Sequence, residues 1–196
     1  MSPSQFSSES GQYDDKEIVI IHDDQGQFLE CYVENEINYQ GNKYLLLTPV
    51  DNTIVILTDD MVDEDDSDYS ETVIVEDDDE IDAIFDDAKA VLGELNLSLK
   101  RTGITLTAGG DLPPEDDENI IRLELDDDDD GLEVEELQFL ASFYSLEQRY
   151  DICTPLAPIL FIGEQNSSGK ISLFNPEKPE LQGIIGELLS DLDESN

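Results

Sequence analysis

The 196-residue chain has no tryptophan, one histidine, two cysteines, two methionines and only nine Lys plus Arg. Each scarcity excludes a class of chemistry. One histidine cannot build a multi-histidine metal centre, and Cys31 and Cys153 show no Cys-x-x-Cys zinc spacing. Each cysteine sits in an apolar strand pattern, which predicts buried reduced thiols and not a disulfide or redox pair. Lys100 and Arg101 are the only adjacent basic residues, so there is no cationic stripe to neutralise nucleic-acid phosphates. No apolar run reaches the roughly 20 residues of a membrane span, and no basic-then-apolar stretch opens the chain. Ala108-Gly109-Gly110 lacks the Lys-Ser/Thr of a phosphate loop. These absences predict a soluble, cytoplasmic protein without cofactor, direct nucleic-acid contact or membrane insertion.

What is abundant is acid. Fifty Asp plus Glu give a formal charge of -41, which must ride on solvated faces and loops. Hydrophobic residues still make up 38% of the chain, enough for real cores.

The chain also repeats itself. At an offset of 106, Tyr44 to Pro49 lies over Tyr150 to Pro155, with Thr-Pro closing both. Thr53 to Leu57 lies over Pro158 to Ile162 at 105, and the apolar phase Ile81, Ile84, Phe85, Ala88, Leu92 over Leu181, Ile184, Ile185, Leu188, Leu192 at 100. Three matches in one order predict a duplication, with the lost residues falling in an acidic loop. A duplicated unit often replaces a homodimer, so a monomer is expected. The predicted fold is α+β: two homologous units, each a small antiparallel β-sheet covered by its C-terminal helix.

Local signals place the boundaries. Residues 1–15 are Ser-rich and read as a disordered leader, and 16–96 as the first unit, carrying an acidic loop over 59–70. Within it Glu17 to His22 is a β-branched run, Ile54 to Leu57 an unbroken apolar strand suited to burial on both faces, and Ile81 to Leu95 an amphipathic helix entered through Asp77 to Glu80. Residues 97–118 read as a strand and acidic linker, broken by Gly109-Gly110 and Pro113-Pro114. Residues 119–193 form the second unit, whose helix follows the Pro-rich entry at Asn175 to Pro179.

The first unit resembles the small acidic YrzB-like family, domain-of-unknown-function family 1292, through Ile18 to Gly26, Lys43 to Pro49 and Glu80 to Leu92. The second half is similar to family 3727 through Gly103 to Thr107 and Tyr150 to Phe161. The resemblance implies a small acidic protein of cyanobacteria or plastids, in the latter case of the chloroplast stroma. It transfers no catalytic residue.

Candidates for chemistry are few. Asp126, Asp128, Asp130 and Gly131 match the opening of a calcium loop, yet the closing carboxylate position is Leu137 and the flanks read as strands. His22, beside Asp23 and Asp24, has no nucleophile in its sequence neighbourhood and reads as a surface residue. Tyr44 and Tyr150 open buried strands and read as core residues, not a shared pocket. The better candidate is an acidic docking surface at Asp59, Asp60, Asp63, Glu64, Asp65, Asp66 and Asp68, present in one copy only. The expected function is a non-enzymatic protein-binding or assembly factor that engages a basic protein surface. The alternatives are a nucleic-acid mimic that occupies a DNA- or RNA-binding protein, and a low-affinity divalent-cation binder.

Overall fold

The structure is a computed structural model, and it describes residues 16–22, 27–61, 70–102, 104–127, 131–145, 147–173, 183, 185, 186 and 188. The leader at 1–15 lies outside them. The described chain is mostly β. Five strands come before the helix: β1 (Ile18–His22), β2 (Phe28–Tyr39), β3 (Asn42–Pro49), β4 (Asn52–Met61) and β5 (Ser70–Ile74). Helix α1 (Asp78–Glu94) is followed by β6 (Ser98–Arg101), β7 (Leu106–Gly109), β8 (Ile120–Asp127), β9 (Gly131–Ser145), β10 (Gln148–Pro155), β11 (Phe161–Gln165) and β12 (Ile171–Leu173).

These strands form two sheets. One has the order β1-β2-β3-β11-β12. The other has the order β6-β7-β4-β10-β9-β8, with β5 pairing a further length of β4. The chain accordingly divides into a discontinuous unit, residues 1–21, 30–48 and 160–196, and a second comprising 22–29 and 49–159.

This arrangement corrects the expected fold class. The halves of the sequence do not each build a sheet capped by its own helix. The strand of Tyr44 (β3) and its sequence neighbour β4 enter different sheets, and so do the strand of Tyr150 (β10) and its neighbour β11. Each sheet therefore contains strands from both halves. β4 pairs β10 antiparallel through Thr58 with Tyr150, Leu57 with Asp151, Ile56 with Ile152 and Val55 with Cys153. β3 pairs β11 through Tyr44 with Glu164, Leu45 with Gly163, Leu46 with Ile162 and Leu47 with Phe161. A shift of 106 residues carries the first ladder onto the second, pair for pair. The ladders thus set β11 one residue away from the offset of 105 at which the sequence matches it to β4. The physical reason that each sheet mixes the halves is that matching strands offer matching edges, so local sequence does not distinguish a partner in the same half from one in the other.

The seven-stranded sheet buries both of its faces, as the unbroken apolar run in β4 requires. Ile54 and Ile56 join Leu106, Ala108, Phe143, Tyr150 and Ile152 beneath α1, whose Ile84, Ala88 and Leu92 are buried against them. Val55 and Leu57 point the other way, into a cluster with Leu123, Leu137, Phe139 and Cys153. An irregularity in the β9·β10 register, where Ile152 faces Ala141 but Cys153 faces Phe139, inserts Leu140 as an extra residue. That bulge reverses the inward phase of β9 and places Leu140 with Phe143 under the helix.

Helix α1 starts where the acidic run predicts. Asp77 caps it by accepting a hydrogen bond from the Glu80 amide at 2.9 Å, and Asp78, Asp79 and Glu80 place negative charge on its first turn. Strands β6 and β7 both belong to the sheet, where the sequence reads one strand followed by an acidic linker. The stretch after β7 is latched by the buried Gln138, which donates to the Pro113 carbonyl at 2.9 Å and more weakly to that of Pro114. In the discontinuous unit, Gly183, Ile185, Gly186 and Leu188 are helical. Leu188 is buried with Tyr44 and Leu46, and its carbonyl accepts from Asn35.

Candidate functional site

Of the seven predicted docking residues, the structure places two. β4 and β5 form a ribbon, Leu57 opposite Ile74 through Met61 opposite Ser70, and Asp59 and Asp60 belong to that ladder. Strand pairing thus extends into the stretch expected as loop. Asp59 is exposed, and its carboxylate accepts from the Thr72 hydroxyl at 3.1 Å. Asp63, Glu64, Asp65, Asp66 and Asp68 lie outside the described residues.

The polar face of the helix, with Asp82, Asp86, Asp87 and Lys89 opposite the apolar stripe in the sequence, adds a second acidic face to the docking candidates. Along α1 the stripe Ile84, Ala88, Leu92 faces the core, so the 3.6-residue period sends Asp79, Asp82, Asp86, Asp87 and Glu94 to solvent. Its signal was visible as the polar half of the periodicity.

The scarce cations, by contrast, are tied down. Among the described residues, six of eight Lys and Arg form ion pairs with carboxylates of the same chain: Lys16 with Glu34, Lys43 with Glu36, Lys100 with Asp51, Arg101 with Asp78 and Asp82, Arg122 with Glu136, and Arg149 with Asp151. The most protected is Lys16–Glu34 at 2.5 Å, where Thr48 also donates to the carboxylate. Burial pushes Glu34 up, but the hydrogen bonds from Lys16 and Thr48 and the Lys16 charge outweigh it and hold the carboxyl below its ordinary range. Arg101 is the most connected. It donates to the Asp78 carboxylate, to the Asp78 carbonyl and to Asp82, clamping the first turns of α1 onto the end of β6.

Beside that clamp the sheet opens. β4 pairs β7 over Asn52–Ile54 and β5 over Leu57–Met61 on one side, and the Val75 amide still donates to the Ile56 carbonyl at 2.8 Å, so the two partners diverge at Val55. The gap holds a cavity of about 350 Å³ with Ile54, Ile56, Ile74, Ile81 and Leu106 in its lining and Glu76, Asp78 and Arg101 also bordering it.

The other sequence candidates resolve into structure. Asp126 lies in β8, Gly131 pairs Asp127 across the β8–β9 hairpin, and Leu137 is fully buried; Asp128 and Asp130 lie outside the described residues. Both flanks of that acidic turn are strands. Among the described residues no three His, Cys, Asp or Glu side chains are grouped to hold a metal ion. His22 is exposed at the end of β1, its ring tilted against Phe28 at 6.5 Å. Cys31 and Cys153 are free and buried, and burial pushes each thiol from 9.0 to about 12, with the Asp151 charge adding at Cys153. Tyr44 and Tyr150 are both buried, in different sheets. Tyr150 stacks on Phe143 and donates to Glu80 at 3.0 Å; burial and then that carboxylate raise its phenol pKa.

No helix of the described residues is long and apolar enough to cross a membrane. Neither a curated protein nor a solved structure matches the chain. Two family models do, both described as proteins of unknown function, over residues 24–93 and 96–192. The first spans β2 to most of α1, and the second runs from the β6–β7 hairpin through β12. The chain is a DUF1292 segment followed by a DUF3727 segment.

Proposed function

We propose that the chain is a non-enzymatic acidic binding or assembly factor that engages a basic protein surface. The observation that carries this reading is the disposition of charge. Among the described residues, six of eight cations are held in internal ion pairs, while the solvent face of α1 presents Asp79, Asp86 and Asp87 beside Lys89. Such a surface accelerates encounters with cationic partners and repels anionic ones. At a Debye length of about 10 Å in 0.1 M salt the attraction acts at short range and is salt-sensitive.

The test is capture from a native extract by the immobilised full chain and by a variant lacking Asp63 to Asp68. The expected result is a basic protein partner, retained at low salt, released at high salt and held less well by the deletion. Equal capture by the deletion would leave α1 as the docking face, and capture unaffected by salt would remove the acidic mechanism altogether. Elution by competing DNA would favour the nucleic-acid-mimic reading. Cytoplasm, or stroma in a plastid lineage, is the compartment this reading proposes, and a monomer the assembly; fractionation and light scattering check them.

A further inference from the structure

The cavity between α1 and the split in the seven-stranded sheet has a chemistry of its own. Its lining from β4, β5, β7 and α1 is apolar at Ile54, Ile56, Ile74, Ile81 and Leu106, and Ile54, Ile56 and Leu106 are buried. Its polar border holds Gln27, Thr102 and Thr105 as well as charged groups. Glu76 and Asp78 contribute carboxylates, and the one cation there, Arg101, is engaged by Asp78 and Asp82. Asp77, Asp79 and Glu80 follow at once and reverse the positive end of the helix dipole. An anionic ligand would meet this border and the field of a chain carrying -41.

An unbranched aliphatic stem ending in a cation satisfies both parts, its methylenes on the isoleucine lining and its charge among the carboxylates. We infer that this cavity receives a lysine side chain of the basic partner, anchoring a contact that the acidic surface otherwise makes by charge alone. The inference rests on the proposed docking function and adds a stereochemical requirement to it, the length of the stem.

Stem length can be varied at constant charge. The full chain is titrated by calorimetry at pH 6 and low salt with deca-lysine and with deca-(2,4-diaminobutyrate), whose stem is two methylenes shorter. At about fourfold per buried methylene, one lodged side chain gives roughly a fifteenfold preference for lysine. Ile81→Trp, which fills the cavity, and Ile104→Lys, which sets a cation of the chain itself on the wall that Ile104 also lines, are each expected to abolish the preference while leaving charge-driven binding in place. Two variants are used because Ile81 also packs α1 against the core; thermal melts identify the folded one. Equal affinity for the two peptides overturns the cavity and leaves the acidic docking surface standing. A lysine preference that persists in both variants places the stem elsewhere and also overturns it. Failure of both peptides to bind at low salt removes the docking function and the cavity together.

Discussion

Replacing Gly163 by alanine tests the exchanged strand directly. Gly163 lies in β11 between Leu45 of β3 and Leu173 of β12. A Cβ at this position would stand 2.7 Å from Ile171 Cγ2 and 3.0 Å from Leu47 Cδ1, against ordinary contacts of 3.4–4 Å. Leu47 is 0% and Ile171 5% exposed, so neither has open space to move into. Overpacking of this kind costs about 1–3 kcal/mol. Removing a glycine from a strand returns about 0.5–1 kcal/mol by restricting the unfolded chain. The net expectation is a loss of about 1–2 kcal/mol, or roughly 2–8 °C in Tm for a chain of this size. With no tryptophan, far-UV circular dichroism in a urea series is the assay, and Gly93→Ala is the control. That position is helical with nothing within 4 Å of a built Cβ, and alanine there is expected to stabilise by about 0.5–1 kcal/mol. If Gly163→Ala stabilises as Gly93→Ala does, β11 is not seated between β3 and β12, and the composite sheet is wrong.

Three further outcomes follow from the same geometry. Arg101→Ala removes the clamp on α1, and because its partners Asp78 and Asp82 are largely exposed the expected loss is only about 0.5–1.5 kcal/mol, measured in the same urea series. Glu34 is held below its ordinary range, so its contribution is present above the carboxylate pKa of the unfolded chain and is lost as pH falls through the lower folded value; melts of Glu34→Gln should show a shallower loss of stability in acid than the parent chain. Cys31 and Cys153, with thiols pushed up to about 12, should resist iodoacetamide at pH 8 in the folded chain and react within minutes in urea, as mass spectrometry would show; rapid native alkylation of either would mean that its strand is not buried.

Local structure was legible because its signals are local. The unbroken run Ile54 to Leu57 predicts a strand buried on both faces, and its side chains do alternate between two core clusters. The helix phase at Ile84, Ala88 and Leu92 and its acidic entry are likewise written in the sequence. What was not legible is pairing. Nothing within Tyr44 to Pro49 states that its neighbour will be Phe161–Gln165, because edge complementarity is a property of two segments at once. The β6–β7 hairpin read as one strand leading into a linker for a related reason: its alternation spans only four residues per strand, and the Gly-Pro-rich segment beyond it dominates the pattern. The cavity has no sequence signal at all, since it arises where two strands part on one edge of β4. For the docking surface, the β4–β5 end was read from charge density alone, whereas the face of α1 needed the helix phase as well.

The insertion of one unit's sequence between β3 and β11 sets an order of events during synthesis. Residues 49–159 contain the strands of the seven-stranded sheet and can close it as they leave the ribosome. β3 must wait for its partner, and about 110 residues separate Pro49 from Phe161, roughly 6–20 s at ordinary elongation rates. During that interval the edge bearing Tyr44, Leu45, Leu46 and Leu47 has not acquired the neighbour that completes its side of the sheet. An apolar strand edge is a template for another nascent chain carrying the same strand. The acidity of the intervening sequence meets this hazard without any folded structure, because each additional stretch emerging behind β3 raises the mutual repulsion between neighbouring unfinished copies.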